Sequence, residues 1–459
     1  MFMTSIVGSK FYCAQSTCTP FANTTERDIF QCEIACLFEV RCKALTFHQS
    51  TLNCEIFGNV ANLTANMIAD SNVTTMIMID GTRFPNIWTT TSGMNQPRLY
   101  HAACTLTNGQ VLVTGGYNSS VYTNSAELYD SLTNMWKWTG NMTNARQKHA
   151  AILLANGKVL VSGGSNVGTY LTTSELYDSS TGVWTATGNM IWRRQYHLMT
   201  LLRSGKVLVT GGSNGTINLD TAELYDVFTG LWIATTSMSG PRLFHTASIL
   251  PSGDVLIAGG TMSGAVTSSS EIYNSTTGLW TAAGNMIKKR QYHTMSLLAN
   301  GKILVAGGFD GTTRLNTAEL YDSATNLWTA TGNMSSARQQ HAAIMLANGN
   351  LIYMIHRLTL GRAQLATNLW TATGNMSSAR QQHAAIVLAN GNVLVAGGYD
   401  GTNYLNTADL YDPSTDTWTS TTQLNVQRRQ HTVSMLGNGK ALVVGGTNTD
   451  NSPLGAEYY

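Results

Sequence analysis

The sequence predicts a mainly β fold, a ring of four-stranded sheets standing around one axis as a β-propeller, preceded by a small cysteine-rich α+β region. Three observations carry this reading. An Arg-x-x-His begins at Arg98, Arg146, Arg194, Arg242, Arg290, Arg338, Arg380 and Arg428, spaced 48 residues apart with one gap of 42. Each intact unit carries a Gly pair, a Tyr 13 residues later and a Trp seven after that, as at Gly116, Tyr129 and Trp136. Six of the seven cysteines fall within the first 54 residues.

The first region spans residues 1–80. "TTERDIFQCEIACLFEV" places Ile29, Phe30, Ile34 and Leu37 at helical spacing, with Thr25 and Asp28 as an N-cap arrangement. "ALTFH" and "CEIFG" read as short strands. Crowding of Cys13, Cys18, Cys32, Cys36, Cys42 and Cys54 reads as a disulfide framework and therefore an oxidising compartment. Zinc is the competing reading, but C-x3-C-x5-C-x11-C lacks paired CxxC knuckles and has only His48 nearby. "MFMTSIVG" has no basic start and is shorter than the apolar core of a secretory leader, so the extracellular expectation rests on the cysteines.

Two cysteines on a helix followed by "RCKALTFHQSTLNCEIF" resemble the PAN/apple module over about 70 residues. The resemblance implies helix-to-sheet bridges Cys32–Cys54 and Cys36–Cys42 and leaves Cys13–Cys18 as a local loop closure. The terminal bridge usual in apple modules has no counterpart here. Such modules bind proteins or carbohydrates and are generally extracellular.

Residues 81–459 form the periodic region. In each unit two apolar stretches, such as "HAAILLA" and "KVLVSGG", flank Asn156-Gly157, a strong hairpin signal. "SELYD" and "VWTATG" follow, joined by the turn composition "SSTG". Four short antiparallel strands cannot bury both faces of their sheet alone. Stacking against the next unit around an axis solves this, and a period of 20–50 residues is its signature. The Gly-Gly, Tyr-Asp and Trp spacing resembles the kelch repeat over some 370 residues.

The unit that begins at Arg428 stops at "GAEYY", short of its Trp, whereas Trp88 in "NIWTTTSGM" precedes the first Arg-x-x-His. A strand within 87–94 is therefore expected to complete the last blade and remove the exposed sheet edges. One unit is degenerate. Between Gly349 and Trp370 the Gly pair, Glu and Tyr-Asp are missing, although residues 324–344 and 366–386 are identical. Eight blades, or seven with residues 351–367 as a bulge, both remain open at this point.

The recurring polar residues suit a scaffold. Arg at the start of the first strand and the acid at the start of the third lie at the same end of a blade. Arg98, Arg146, Arg194, Arg242, Arg290, Arg380 and Arg428 are thus expected to pair with Glu127, Glu175, Glu223, Glu271, Glu319, Asp409 and Glu457. Arg338 belongs to the unit that lost its acid. The competing reading is a basic mouth for an acidic ligand, helped by Arg193, Lys288, Lys289 and Arg429. Eight of the ten histidines share the Arg-x-x-His register, which suits a hydrogen-bonding part of the scaffold rather than a metal site. Tyr and Trp are expected to pack between blades.

Function is sought where the repeats differ, in the loops after Gly-Gly, which offer Tyr117, Tyr122, Tyr170, Phe309, Arg314, Tyr399 and Tyr404. Aromatics amid Asn, Asp and Thr suit stacking on sugars or docking a peptide. A net charge of +2, with 11% charged residues against about 25% in an average protein, gives no nucleic-acid signature. No run approaches the roughly 20 apolar residues of a bilayer-spanning helix.

The expectation is a monomeric, non-catalytic extracellular protein that recognises a protein or glycan and needs no cofactor. Two alternatives stand beside it. The copper radical oxidases related to galactose oxidase also use kelch-like repeats, but their two His, two Tyr and a Tyr-linked Cys find no matching positions around Cys104, and among the histidines only His48 and His356 lie outside the repeat register. An intracellular adaptor leaves the cysteine cluster unexplained. No G-x-S-x-G, H-E-x-x-H or Gly-Lys-Ser/Thr phosphate loop is present. Nine N-x-S/T sequons, among them Asn23, Asn62, Asn118 and Asn274, are what an Asn-, Ser- and Thr-rich chain yields by chance.

Overall fold

The computed structural model describes residues 88–459 with their side chains, apart from 299, 335–336, 342–375, 379, 416, 437–438, 451 and 453. Within 1–87 and 342–375 it describes strand backbone only. In the first of these stretches five antiparallel strands form one sheet in the order Met3–Phe11, Met67–Met78, Ala44–His48, Asn53–Phe57 and Ala22–Thr25. Ala44–His48 and its neighbour Asn53–Phe57 are the strands read from "ALTFH" and "CEIFG". The expected helix and the side chains of all six N-terminal cysteines, hence the three disulfides, lie outside the described residues.

The repeats build eight four-stranded antiparallel sheets. Numbered from Arg98, blade 2 shows the plan, with strands Ala150–Leu153, Val159–Ser162, Ser174–Asp178 and Val183–Ala186. Its first hairpin turns at Asn156-Gly157, where Gly157 at φ +80° donates its N–H to the Leu154 carbonyl at 3.0 Å. The second strand, Val-Leu-Val-Ser, is buried at every position, because neighbouring blades cover both faces of the sheet. First strands lie side by side around the ring, from Ala102–Thr105 through each blade in turn to Thr432–Met435 and back to Ala102–Thr105.

Seven of the sheets carry the full repeat. The degenerate unit supplies the remaining sheet, with strands Ala343–Met345, Leu351–Tyr353, Thr359–Gln364 and Leu369–Asn375. Its first strand occupies the ring position between blades 5 and 7, so the missing six residues shorten a blade without removing it. The last sheet is completed from the other end of the repeat region. Thr89–Thr90 pairs antiparallel with Ala456–Tyr458, with Glu457 opposite Thr90. Trp88 and Tyr459 pack their rings 5.2 Å apart beside this seam.

The core is a set of seams rather than one centre. Leu106, Leu112 and Met142 of blade 1 meet Val159, Val161 and Tyr177 of blade 2. Leu154, Leu160 and Met190 of blade 2 meet Val207, Val209, Tyr225 and Trp232 of blade 3. Each such side chain contributes about 2 kcal/mol when buried. Tyr and Trp pack within a blade, as in Tyr177–Trp184 at 5.0 Å, and their polar ends reach across the seam. Trp232 donates its indole N–H to Ser174 Oγ of the preceding blade at 3.0 Å, and Tyr177 shares a hydrogen bond with Thr139 Oγ1 of the preceding blade at 2.7 Å.

Candidate functional site

The candidate site is the end of the ring where each blade hands over to the next. Arg, His and Gly-Gly build its foundation. In blade 1 the Arg98 guanidinium is sealed from solvent, donating from Nη1 to the Gly115 and Ser125 carbonyls at 2.9 and 3.0 Å and from Nη2 to Glu127 Oε1 at 2.6 Å. The Glu127 carboxylate also accepts the backbone N–H groups of Asn95 and Gln96 at 2.7 and 3.1 Å, which fixes the incoming chain. The same pair recurs at Arg146–Glu175, Arg194–Glu223, Arg242–Glu271, Arg290–Glu319, Arg380–Asp409 and Arg428–Glu457, with separations of 2.5–2.8 Å. Burial lowers the guanidinium pKa and the paired carboxylate opposes that shift.

These arginines, Arg338 included, are buried, so they form no basic mouth. The sequence placed Arg and acid at one end of the blade. It did not reveal that Gly-Gly lets the next blade close over them. A Cβ on Gly115 would overlap the Arg146 carbonyl oxygen of blade 2 and lie 2.8 Å from the His149 ring. Each residue of the Gly pair at 115–116 also has positive φ.

Histidines of several blades staple their blade to the preceding one. His149 Nε2 meets Thr114 Oγ1 at 2.9 Å, His245 meets Thr210 at 3.0 Å, His293 meets Thr246 at 2.6 Å and His341 meets Thr294 at 3.0 Å. His101 closes the circle onto Thr432 of the last blade at 3.2 Å. Its Nδ1 faces the Arg98 carbonyl at 3.2 Å, which can only accept, so Nδ1 carries the proton and Nε2 accepts from the threonine. Burial and the neighbouring guanidinium push these imidazoles down, His101 to about 4 and His197, His245 and His383 to about 3. Among the described residues no three His, Cys, Asp or Glu side chains gather where they could hold a metal ion. Cys104, half-buried in the first strand of blade 1, is a free thiol pushed up to about 11 by burial.

Above this foundation lies a collar that the sequence reading missed. The third residue of each Arg-x-x-His is Tyr100, Lys148, Tyr196, Phe244, Tyr292, Gln340, Gln382 and Gln430, and all eight adopt positive φ between 48° and 58°. For bulky side chains this left-handed backbone is rare and strained. Head-to-tail backbone bonds support it: Lys148 N–H to the Tyr100 carbonyl at 3.0 Å, Tyr196 to Lys148 at 3.3 Å, Gln340 to Tyr292 at 3.0 Å, Gln382 to Gln340 at 3.2 Å and Gln430 to Gln382 at 2.9 Å.

The collar has two unlike halves. Lys148 Nζ sits 5.1 Å from the Tyr100 ring and 4.9 Å from the Tyr196 ring. Tyr196 continues onto Phe244 at 5.8 Å, and Phe244 onto Tyr292 at 4.5 Å. On the other side Gln382 Nε2 donates to Gln340 Oε1 at 3.2 Å. The one available signal was a variable place inside a constant motif. Nothing in Tyr, Lys or Phe announces a left-handed backbone.

The loop candidates divide. Tyr399 and Tyr404 form an edge-to-face pair at 5.5 Å, with the Arg429 guanidinium 5.4 and 4.5 Å from the two rings. Arg429 also donates to Gln382 Oε1 at 3.2 Å, which joins this loop to the collar. Tyr117 and Tyr122 pack at 5.1 Å, Phe309 bridges to Arg314, and Arg314 itself is exposed. Tyr170 lies against Gly215 of the next blade so closely that a Cβ there would overlap its ring, which makes it a packing residue.

Comparison with known proteins follows this geometry. The kelch motif model matches residues 98–142, 148–191, 297–335 and 382–425. No curated protein matches the chain. Among solved structures one described as "Novel fungal alcohol oxidase with catalytic diversity among the AA5 family, in complex with copper" is similar over 81% of this chain and 76% of its own, with TM-score 0.54 and 18% sequence identity. At that identity the likeness concerns the fold alone. Blade topology and ring closure make the repeat region a β-propeller, four of whose segments match the kelch motif.

Proposed function

We propose that this chain is a non-catalytic binding protein that takes its ligand, a protein, on the collar and the adjoining loops. Kelch propellers serve protein interactions in general. The observation that carries the reading here is the collar: strained backbone, four aromatic rings and a lysine gathered at one mouth over a repeated foundation of buried arginines. Tyr100 and Tyr196 remain 43% and 39% exposed, which leaves ring surface for a partner. Rigid aromatics of this kind dominate binding hot spots.

A carbohydrate ligand is the second reading, favoured by Tyr399 and Tyr404 set among Asn, Asp and Thr. The proposed setting is extracellular, supported by the six clustered cysteines and by the resemblance of residues 1–80 to an apple module.

The test is a pull-down and glycan-array screen with Tyr100→Ser/Tyr196→Ser and Tyr399→Ala/Tyr404→Ala variants. A control variant, Lys158→Ala, alters the opposite end of the ring, where Lys158 pairs with Asp178 at 3.1 Å. Ligands lost with the first two variants and kept by the third support the reading. Ligands retained by both face variants overturn it.

A further inference from the structure

The charges of the two ends of the ring differ in their state of pairing. At the end away from the collar, Lys158, Lys206 and Lys302 each pair with an aspartate of their own blade, Asp178, Asp226 and Asp322, at 3.0–3.1 Å. At the collar end, Lys148, Arg193, Arg314 and Arg429 have no carboxylate within ion-pair reach among the described residues. Two acids of this face hold the turns of their own loops. Asp310 accepts the Thr312 and Thr313 N–H groups at 2.7 and 2.6 Å, and Asp400 accepts those of Thr402 and Asn403 at 2.7 and 2.6 Å.

Lys148 is the one of these cations that belongs to the collar itself. Two aromatic rings hold its ammonium, one on each side, and they attract the cation without neutralising it. The adjoining half of the collar presents the Gln340, Gln382 and Gln430 amides, which can both donate to and accept from an extended backbone.

We infer that the collar recognises an acidic polypeptide segment, with a carboxylate side chain seated on Lys148 between Tyr100 and Tyr196. This rests on the proposed function and narrows its ligand. Charge complementarity selects the occupant, since Lys148, Arg193, Arg314 and Arg429 on this face have no carboxylate partner among the described residues. A bound carboxylate adds the neutralising partner that the rings cannot supply. The tyrosine faces favour an apolar or aromatic residue next to the acid.

The test begins with an unbiased random-peptide display selection on the full chain, counter-selected on Tyr100→Ser/Tyr196→Ser. Enrichment of Asp and Glu in the face-dependent peptides supports the inference. Face-dependent peptides without acidic enrichment overturn it and leave the proposed function standing. An absence of face-dependent peptides overturns both.

Direct titration with a fluorescein-labelled oligo-glutamate decapeptide and its oligo-glutamine counterpart follows. Lys148→Gln is the variant of choice, because glutamine already occupies the same left-handed position in three other blades. Its fold is checked by near-ultraviolet circular dichroism. Oligo-glutamate binding is expected to weaken about tenfold in Lys148→Gln, to recover in Lys148→Arg and to fall with added salt. Equal binding of the two decapeptides, an unchanged Lys148→Gln titration, or binding of a sulfated polysaccharide but not of oligo-glutamate would each overturn the inference.

Discussion

Acid should open this ring, and the histidines set the pH at which it does. An unfolded-state histidine titrates near 6.5. In the folded ring His101 is held down to about 4 and His197, His245 and His383 to about 3, first by burial and then by the arginine of the same motif. The folded state therefore refuses a proton that the unfolded chain accepts. Stability is fully present above about pH 6.5 and is lost as pH falls from there toward the folded values. At pH 5 each of these four groups costs about 2 kcal/mol, so about 8 kcal/mol in all, a large share of the roughly 5–15 kcal/mol that a typical domain possesses. His149, His293, His341 and His431 are also held well below their ordinary value and act in the same direction.

The assay is urea unfolding at fixed ionic strength from pH 7.5 to 4.5, with imidazole carbon resonances followed in the folded protein. The midpoint should fall steeply below pH 6.5 while the resonances remain those of neutral rings. His149→Gln should reduce the slope by up to one proton. A midpoint that is flat between pH 7 and 5 would refute the assignment of these buried rings as neutral in the folded protein.

Other expectations follow from the same geometry. Arg194→Met leaves a buried Glu223 carboxylate with only the Ile191 and Trp192 N–H groups, so it should cost about 3–5 kcal/mol, whereas the double variant Arg194→Met/Glu223→Leu should recover most of that loss in a denaturation cycle. Gly163→Ala should destabilise more than Gly168→Ala, as read by urea midpoint, since both have positive φ but only Gly163 abuts the next blade's Arg194 carbonyl and His197 ring. Trp88→Ala at the closing seam should cost about 3–5 kcal/mol, and removal of residues 81–97 should lower the thermal midpoint further; a shortened chain as robust as the original would contradict closure by Thr89–Thr90.

The ring was legible because its signals are chemical and periodic. Asn156-Gly157 announces a hairpin, Val-Leu-Val a strand buried on both faces, and an Arg with an acid at a constant offset a shared end of one blade. Burial of that pair was not legible, since two residues at one end of a sheet can lie on a rim or beneath the neighbouring blade. Closure depended on Gly-Gly, whose role is read only when Arg146 and His149 of the next blade are seen to occupy the missing Cβ. Tyr170 looked like a ligand residue because its loop varies, yet its ring fills the space above Gly215. The degenerate unit lacked its Gly pair, Glu and Tyr-Asp, but its first strand retained the ring position.

Lys148 and its neighbours show how repetition frees a position for recognition. Each left-handed residue costs of order 1–3 kcal/mol, and eight of them could not persist on local preference alone. They persist because Arg-x-x-His is held on both sides, by a buried Arg that is ion-paired in seven blades and by a His that in several blades hydrogen-bonds to the preceding one. With both flanks fixed, the third residue contributes little to folding and can vary among Tyr, Lys, Phe and Gln. Support is uneven around the mouth. Among the described residues the backbone bonds run from Tyr100 to Tyr196 and from Tyr292 to Gln430, while none joins Tyr196 to Phe244 or Phe244 to Tyr292. Ring contacts replace them there, at 5.8 and 4.5 Å. A ligand that inserts beside Phe244 would therefore displace only ring contacts, whereas one that spreads the glutamine half would have to break the Gln340–Gln382–Gln430 ladder. That difference makes the aromatic half the adaptable side of the mouth and the glutamine half its fixed wall.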